Sequence, residues 1–427
     1  MRDSASKVPC DAVITGLGVV SPIGIGVEAF WQAACAGRSG LGRPSFPVPT
    51  LPDQFRVVGE VRDFRPRQWL PPQTARTASR FSQFAVAAAE MASSDARISC
   101  GRDSPPSIAP EDLKVAIGTC MDGQADLGES SHTAFIHGEP LKPFTVLEYP
   151  AHASSSHVAI ATGARGHAMT FATACAAGLD AIAWASEEVR SRRAMAVLAG
   201  GSESPLSAYA LGLFHSVGVL ASWDGDPQEA SRPFDGLRSG LVLAEGAAVV
   251  CVEDHESARR RGVTPYARVL GYGTANEAQH LRKVDRSGVT VARAIEAALR
   301  QARLAPGDID YVCAHGNSMP DYDAAETAGI KHALGRHAWN VPVSSIKSMC
   351  GQALAASSAM QVVAACLVLR HGVIPPTINH HHADPACDLD YVPQRARRAR
   401  VRTVLIHAHS LGGAHVALIL GKAAPSC

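Results

Sequence analysis

Short runs of β-branched and other apolar residues alternate along the chain with longer stretches that are rich in alanine. The short runs predict strands and the longer stretches predict helices, and this alternation is typical of an α/β protein with largely buried sheets. The predicted strands are residues 11–15, 115–118, 195–199, 247–252, 309–314 and 401–406. The predicted helices are residues 81–93, 178–190, 291–302 and 356–371.

The alanine content of these helices indicates how the layers pack. Small side chains let helices approach closely and be covered on several sides, which favours a multilayer sandwich with a buried central helix. The polar stretch at residues 254–264, with three consecutive arginines at 259–261, is the predicted seam between two halves of similar build. The sequence contains no internal repeat, so we expect the halves to resemble each other in structure only.

The composition excludes several classes of protein. Of the 427 residues 46% are hydrophobic and 19% are charged, which excludes disorder, a collagen-like chain and a disulfide scaffold. Forty basic and thirty-nine acidic residues leave a formal charge of +1, so we expect no nucleic acid partner. The eleven cysteines form no C-x-x-C pair, which fits reduced thiols in a cytosol better than disulfides or a zinc site.

The apolar run at residues 12–27 raises the question of a signal peptide. Gly16 and Gly18 interrupt the run and more glycines follow, so a strand that enters a glycine-rich turn explains it better. Elsewhere the sequence has no uninterrupted apolar run of the roughly 18 residues that a membrane helix needs. We therefore expect a cytoplasmic protein that does not enter a membrane.

The first chemical candidate is Cys175, which stands among small residues directly before a long predicted helix. A thiol at a helix N-terminus lies at the positive end of the helix dipole, which lowers its pKa and favours a nucleophilic thiolate. The small neighbours leave room for a substrate. The alternative is a buried structural cysteine, and the residues around Cys175 leave both interpretations open.

Three segments of the second half hold further candidate groups. His315 follows a predicted strand and precedes a glycine, so it can project into a cleft as a hydrogen-bond donor or a base, although a core histidine is the alternative. Lys347 and Gln352 lie at another strand-to-helix junction. The third segment is the glycine turn at residues 410–413, whose backbone N–H groups can hold an oxyanion.

These segments belong to a longer set of short motifs that occur in a fixed order. The motifs are residues 13–24, 231–235, 244–246, 314–316, 345–348 and 375–379. Together they resemble the β-ketoacyl-acyl-carrier-protein synthases, the type II condensing enzymes with the thiolase fold, and the resemblance covers nearly the whole chain. The resemblance implies a five-layered αβαβα sandwich of two similar halves. Residues 1–262 would carry the nucleophilic cysteine, and residues 263–427 would carry the histidine, the lysine and the glycine turn.

The resemblance also implies a role for each candidate. Cys175 would take an acyl group from a carrier thioester. His315 would donate to the thioester carbonyl of a malonyl extender and so stabilise the enolate formed by decarboxylation, while Lys347 would order the site electrostatically. The backbone N–H groups of Cys175 and Leu411 would hold the oxyanion. The oxyanion site and the gate would lie at three residues of the glycine turn: Ser410, Leu411 and Gly412.

The departures from the family pattern cluster around the same cleft. Gln352 stands where this family has a second catalytic histidine, and an amide can donate a hydrogen bond but cannot act as a base. The glutamate that normally accompanies Lys347 is Gln361, so we expect the pKa of a buried Lys347 to fall. The other departures affect the contacts to pantetheine and the gate, and thus candidate substrate-binding positions: Asn317, Met319, Leu411, His409 and His407.

Three functions from different classes fit this pattern. The one that we favour is a decarboxylative condensing enzyme, an acyltransferase of the 3-oxoacyl synthase type, in a specialised polyketide or fatty-acid-like pathway. The second is an acyltransferase that uses Cys175 without decarboxylation. The third is a non-elongating partner of another ketosynthase, although such partners usually lack the cysteine.

The resemblance implies partners as well. The substrates would be carried on the phosphopantetheine of an acyl carrier protein, and we expect no cofactor and no metal. The histidines at residues 380–382 lie in a polar loop and are not expected to bind a metal. We expect a homodimer, with a heterodimer containing a second ketosynthase-like chain as the alternative.

Overall fold

A computed structural model of the chain describes residues 11–99 and 106–423. The strands are β1 (Ala12–Ser21), β2 (Gly24–Ile25), β3 (Leu41–Gly42), β4 (Val58–Gly59), β5 (Leu113–Gly118), β6 (Ala168–Phe171), β7 (Ala196–Glu203), β8 (Gly246–Asp254), β9 (Ala267–Asn276), β10 (Tyr311–Cys313), β11 (Val343–Ser344), β12 (Val373–Ile374), β13 (Arg397–Arg398), β14 (Thr403–His409) and β15 (Ala414–Lys422). The helices are α1 (Val27–Cys35), α2 (Thr74–Thr77), α3 (Arg80–Asp95), α4 (Glu129–Ile136), α5 (Thr145–Glu148), α6 (His152–Thr162), α7 (Ala177–Arg190), α8 (Ala208–Val217), α9 (His255–Arg260), α10 (Val289–Ala302), α11 (Pro320–Leu334), α12 (Lys347–Cys350) and α13 (Leu354–His371).

The main sheet consists of two halves with the same topology. Among the described residues it runs β11-β10-β14-β15-β9-β1-β8-β7-β5-β6, with β2 paired to β1. Each half contains five of these strands. Counted outward from the junction between β9 and β1, the neighbouring strands in each half are the first, fifth, fourth, second and third of that half in sequence. The halves meet where β1 pairs with β9 through only two pairs of residues. The expected structural repeat without a sequence repeat is therefore present.

The helices complete five layers. Helices α7 and α13 contact strands of both halves, α3 and α6 cover one outer face, and α10 and α11 cover the other. Residues 354–369 of α13 are all buried, which confirms the predicted central helix and the αβαβα sandwich. By length and composition α13 alone, within the described part of the chain, is apolar enough to cross a membrane, but it is a core helix here.

The predicted strands and helices all coincide with observed ones to within a few residues, but the first strand is longer than expected. β1 does not turn at the glycines and continues to Ser21. The reason is the close approach of α3, because a Cβ atom on Gly16 or Gly18 would lie 2.0 or 1.9 Å from a backbone oxygen of that helix. These glycines therefore provide space for helix packing within a strand.

Candidate active site

Cys175 lies between the end of β6 and the start of α7, in a single 3₁₀ turn at residues 174–176. The turn is reached through a left-handed backbone conformation at Ala174, with φ of 52°. The thiol is buried in an apolar cluster that includes Leu354 at the start of α13, with Met319 packed against it. The structure thus places Cys175 beside residues of the second half of the chain.

Burial decides the protonation state of this thiol. It raises the pKa of Cys175 to about 11, while the Gln352 amide and Lys347 act in the opposite direction and Glu203 adds to the rise. The expectation of a lowered pKa for the thiol at this helix N-terminus is therefore wrong. The removal of the sulfur from water penalises the thiolate more than the neighbouring dipoles and the lysine stabilise it.

The glycine turn is tied directly to the Cys175 loop. The Ser410 hydroxyl accepts a hydrogen bond from the backbone N–H of Ala176 at 3.0 Å and donates to the carbonyl of Thr173 at 2.8 Å. Left-handed conformations at Gly412 and Gly413, with φ of 94° and 82°, close the turn. The Ser410 side chain is thus occupied in positioning the turn, and Leu411 remains partly exposed beside it.

His315 follows β10 and is held by Glu326 on α11. The backbone N–H groups of His315 and Gly316 donate to the two carboxylate oxygens of Glu326 at 2.7 and 2.8 Å. Nδ1 of His315 accepts from the backbone N–H of His409 at 3.4 Å, which places the ring proton on Nε2. Burial and Lys347 lower the pKa of His315 well below its usual range, so the ring is a neutral Nε2–H donor.

Lys347 is buried behind His315. Its Nζ donates to the carbonyl of His315 at 2.6 Å and to Oε1 of Gln361 at 3.0 Å. Burial lowers the pKa of Lys347 to about 8, and Glu326 is the largest opposing influence. The pKa has fallen as expected from the sequence, and burial is the cause. Gln361 supplies an oxygen to the ammonium but no counter-charge.

Gln352 is positioned by its backbone, and its side chain lies beside the Cys175 thiol. Its N–H donates to Val242 at 2.7 Å, and its carbonyl accepts from Ala244 at 3.0 Å. The amide is buried beside Cys175, where its hydrogen bond to the thiol lowers the pKa of the sulfur, and neither Nε2 nor Oε1 has another partner among the described residues. The amide is therefore directed at the candidate nucleophile.

The two remaining substrate-binding candidates differ in their surroundings. Oδ1 of Asn317 accepts from the backbone N–H of Met319 at 3.1 Å, so this side chain shapes its own loop. The backbone N–H of Asn317 donates to Asp323 at 3.0 Å. Met319 packs against the apolar cluster around Cys175. The structure therefore brings Met319 toward the nucleophile and gives Asn317 a local role.

Sequence reasoning missed two residues around His315. It assigned no role to Glu326, and it did not single out His415, which pairs with His409 across the hairpin of β14 and β15. The alternation of His407 and His409 before a glycine turn, with His415 after it, was a signal that all three lie on one sheet face. Within the described residues no group of three or more His, Cys, Asp or Glu side chains is arranged to hold a metal ion.

Matches to known proteins give the family of this chain. The model of the β-ketoacyl synthase N-terminal domain matches residues 11–258, and the model of the C-terminal domain matches residues 266–381. The chain belongs to the β-ketoacyl synthase family. This ketosynthase is 38% identical over 419 residues to a putative polyketide beta-ketoacyl synthase 1 of Streptomyces halstedii, which covers 96% of this chain and 97% of the relative.

Solved structures support the same assignment. One is a type II polyketide synthase acyl-carrier protein in complex with its ketosynthase bound to the hexaketide, AntDE:AntF, with a TM-score of 0.90 and 33% identity. That match covers 98% of this chain and 100% of the other. The ishigamide ketosynthase/chain length factor matches with a TM-score of 0.89 and 33% identity over 98% and 100% of the two chains. The protein is thus a thiolase-fold condensing enzyme, a ketosynthase of the type II polyketide or fatty acid synthase kind.

Proposed function

We propose that this ketosynthase loads an acyl group from a carrier thioester onto Cys175 and extends it with malonyl-carrier in a specialised pathway, without a cofactor. The observation that carries the proposal is the convergence on one buried thiol of groups from both halves of the chain. Gln352 and Lys347 both influence the Cys175 thiol, and Ser410 ties the glycine turn to both sides of it.

In the loading step, Cys175 Sγ attacks the carrier thioester and the bond between the acyl carbon and the pantetheine sulfur breaks. The thiol proton of Cys175 ends on the departing carrier thiolate, so the step is balanced. The oxyanion formed on the way would be held by the backbone N–H groups of Cys175 and Leu411. The Ser410 hydroxyl supports this role because it fixes the distance between the two loops.

In the extension step, malonyl-carrier loses CO₂ and the electrons of the broken bond form an enolate at the thioester. The enolate carbon attacks the acyl group on Cys175, and the thiolate of Cys175 leaves and takes up one proton. His315 would donate to the enolate oxygen from Nε2, and Gln352 would add a second donor from its amide. Lys347 would stabilise the negative charge from behind His315.

We expect this reaction to survive the replacement of the second histidine by Gln352. A panel of acyl-carrier thioesters is incubated with the protein, malonyl-carrier is added, and both proteins are followed by intact mass spectrometry. The wild type should give an acylated Cys175 and then a carrier-bound product two carbons longer, with loss of CO₂. Gln352→Ala, which removes one donor to the enolate, should slow the extension about 100-fold and leave the loading unchanged.

The matched comparison is Gln352→His, which provides an imidazole in place of the amide. Equal extension by the wild type and by Gln352→His would support a donor role for Gln352. Loading without extension in the wild type, with extension only in Gln352→His, would contradict the condensing function and favour acyl transfer without decarboxylation. Absence of loading by any acyl thioester would favour a non-elongating partner.

The edges of the main sheet support a proposal about assembly. The edge strand β11 is buried, whereas β6 at the opposite edge is half-buried with Ala168 exposed. Large apolar side chains are exposed on the helices that precede β6: Phe135, Ile136, Val146, Leu147 and Ile160. An uncovered edge strand beside apolar helices is a pairing surface. We propose that a second chain covers it, in a homodimer or with a ketosynthase-like partner as in the ishigamide ketosynthase/chain length factor.

Light scattering of the purified chain, alone and with a co-expressed ketosynthase-like chain, tests this assembly. We expect a dimer of 44.7 kDa subunits in at least one of the two samples, and a monomer when Ile160 and Val146 are both replaced by lysine. Val289→Lys, an exposed apolar position on α10, is the control and should leave the dimer intact. A double variant that stays dimeric would contradict the assignment of this surface. We propose that the assembly works in the cytoplasm with an acyl carrier protein.

A further inference from the structure

Four buried histidines form one cluster at the carboxyl end of β14. The ring of His409 lies at its centre, with its centroid 4.2 Å from that of His315, 5.3 Å from that of His407 and 5.6 Å from that of His415. The ring centroid of Tyr322 lies 4.9 Å from that of His409, on another side of the cluster. All four imidazoles are no more than 1% exposed. The cluster is thus an extension of the active site, because His315 belongs to both.

Protein groups determine the tautomers of three of these rings. His407 donates from Nδ1 to Glu326 at 2.7 Å, and His415 donates from Nε2 to the carboxylate of Glu277 at 2.9 Å. His315 accepts at Nδ1 from the backbone of His409. Each of the three rings therefore has one nitrogen engaged and one without a partner.

His409 differs from the other three rings. Both of its ring nitrogens are buried, and neither has a hydrogen-bond partner in the described part of the chain. Burial, with the neighbouring histidines, lowers the pKa of His409 well below its usual range, so the ring is neutral and offers one N–H and one lone pair. Buried polar atoms without partners are rare and call for a ligand, an ordered water or a catalytic role.

Packing alone does not explain these residues. The same face of the sheet is apolar farther along both strands, at Leu405, Ala417 and Ile419. Histidine side chains replace the apolar ones on this face only at the end of the two strands that reaches His315. An apolar ring at position 409 would fill the space without leaving two buried nitrogens unsatisfied.

We propose that His409 is the second imidazole of this active site and that its free ring nitrogens hydrogen-bond the malonyl group when the extender enters. This inference rests on the proposed condensing function. His407 and His415, each anchored to a carboxylate, hold the ring of His409 in place. The proposal also accounts for an amide at position 352, because the imidazole is supplied from a neighbouring strand instead.

The decisive variant is His409→Phe, which keeps an aromatic ring at this position and removes both nitrogens. We expect the decarboxylation of malonyl-carrier to fall on the order of 100-fold in kcat, because a hydrogen bond to the reacting group is lost. Acylation of Cys175 should change less than about twofold, since it uses the thiol and backbone N–H groups. His371→Phe, which replaces a histidine stacked on Trp31, is the matched control and should leave both steps unchanged.

A double-mutant cycle separates chemistry from packing. In the Gln352→His background the added imidazole should make His409→Phe nearly neutral for decarboxylation. A neutral His409→Phe in the wild-type background, or an equal loss in both backgrounds, would overturn the proposal. Melting temperatures of the four proteins should be alike, which excludes unfolding as the cause.

A binding measurement keeps this inference apart from the proposed function. The protein is labelled with ¹⁵N-histidine and mixed with a malonyl-carrier analogue in which an amide replaces the thioester. Binding should shift the ring signals of His409, assigned by their loss in His409→Phe. If the His315 signals shift and those of His409 do not, or if the analogue does not bind at all, the inference is wrong. Failure of turnover with a shift of the His409 signals would instead count against the condensing function alone.

Discussion

Replacement of Cys175 with alanine is expected to abolish covalent loading of the ketosynthase, with a loss of acyl transfer on the order of 10⁴-fold or more. The reason is that, in the proposed reaction, the acyl group is held by a bond to this sulfur, on which Gln352 and Lys347 both act. Intact mass spectrometry after incubation with an acyl-carrier thioester measures the result. We expect no acyl adduct on Cys175→Ala and one adduct per chain on the wild type.

The chain offers a matched control in Cys35. Burial raises the pKa of Cys35 to about 11, the same value as for Cys175, but no amide or lysine opposes that rise. Cys35→Ala should therefore load and extend like the wild type. An adduct that persists in Cys175→Ala and disappears in Cys35→Ala would show that the nucleophile has been misassigned.

Removal of the Glu326 carboxylate should have the largest effect on stability of any single change around the site. Glu326 is fully buried and accepts from the backbone of His315 and Gly316 and from the ring of His407. Glu326→Leu leaves these three donors and Lys347 without an acceptor or a counter-charge. We expect the free energy of unfolding to fall by about 3 to 5 kcal/mol, measured by urea denaturation.

The conservative variant Glu326→Gln tests the electrostatic part of this role. The wild-type rate of malonyl-carrier decarboxylation should decrease as the pH rises through about 8, because Lys347 then loses its proton. Glu326 favours the protonated lysine, so Glu326→Gln should lower the pKa of Lys347 further and move the decrease to lower pH.

A pH–rate profile of each protein measures this shift. Glu296→Gln, which changes a carboxylate on the outer helix α10, is the control and should leave the profile unchanged. A decrease at the same pH in the wild type and in Glu326→Gln would contradict the coupling between Glu326 and Lys347.

Much of the chemistry could be found without coordinates because it lies in short segments. Cys175 before a helix, His315 after a strand and Lys347 at a second junction are all marked by their immediate neighbours. The alternation of strands and helices likewise predicted the layers, since buried parallel strands and alanine-rich helices each leave a local pattern. The roles of these residues in the reaction remain predictions until the variants are measured.

Local patterns in the sequence therefore determined the α/β class, the division into two halves and the identity of the candidate groups. The protonation states and the neighbours of those groups were decided by tertiary structure. The position before α7 favours a thiolate at Cys175, but residues from both halves of the chain bury the thiol and raise its pKa. Three hydrogen bonds of the site join residues that are far apart in the sequence. Ser410 and Ala176 are separated by 234 residues, Glu326 and His407 by 81, and His415 and Glu277 by 138. Desolvation and Coulomb interactions depend on distance in space, so no local pattern in the sequence could reveal them.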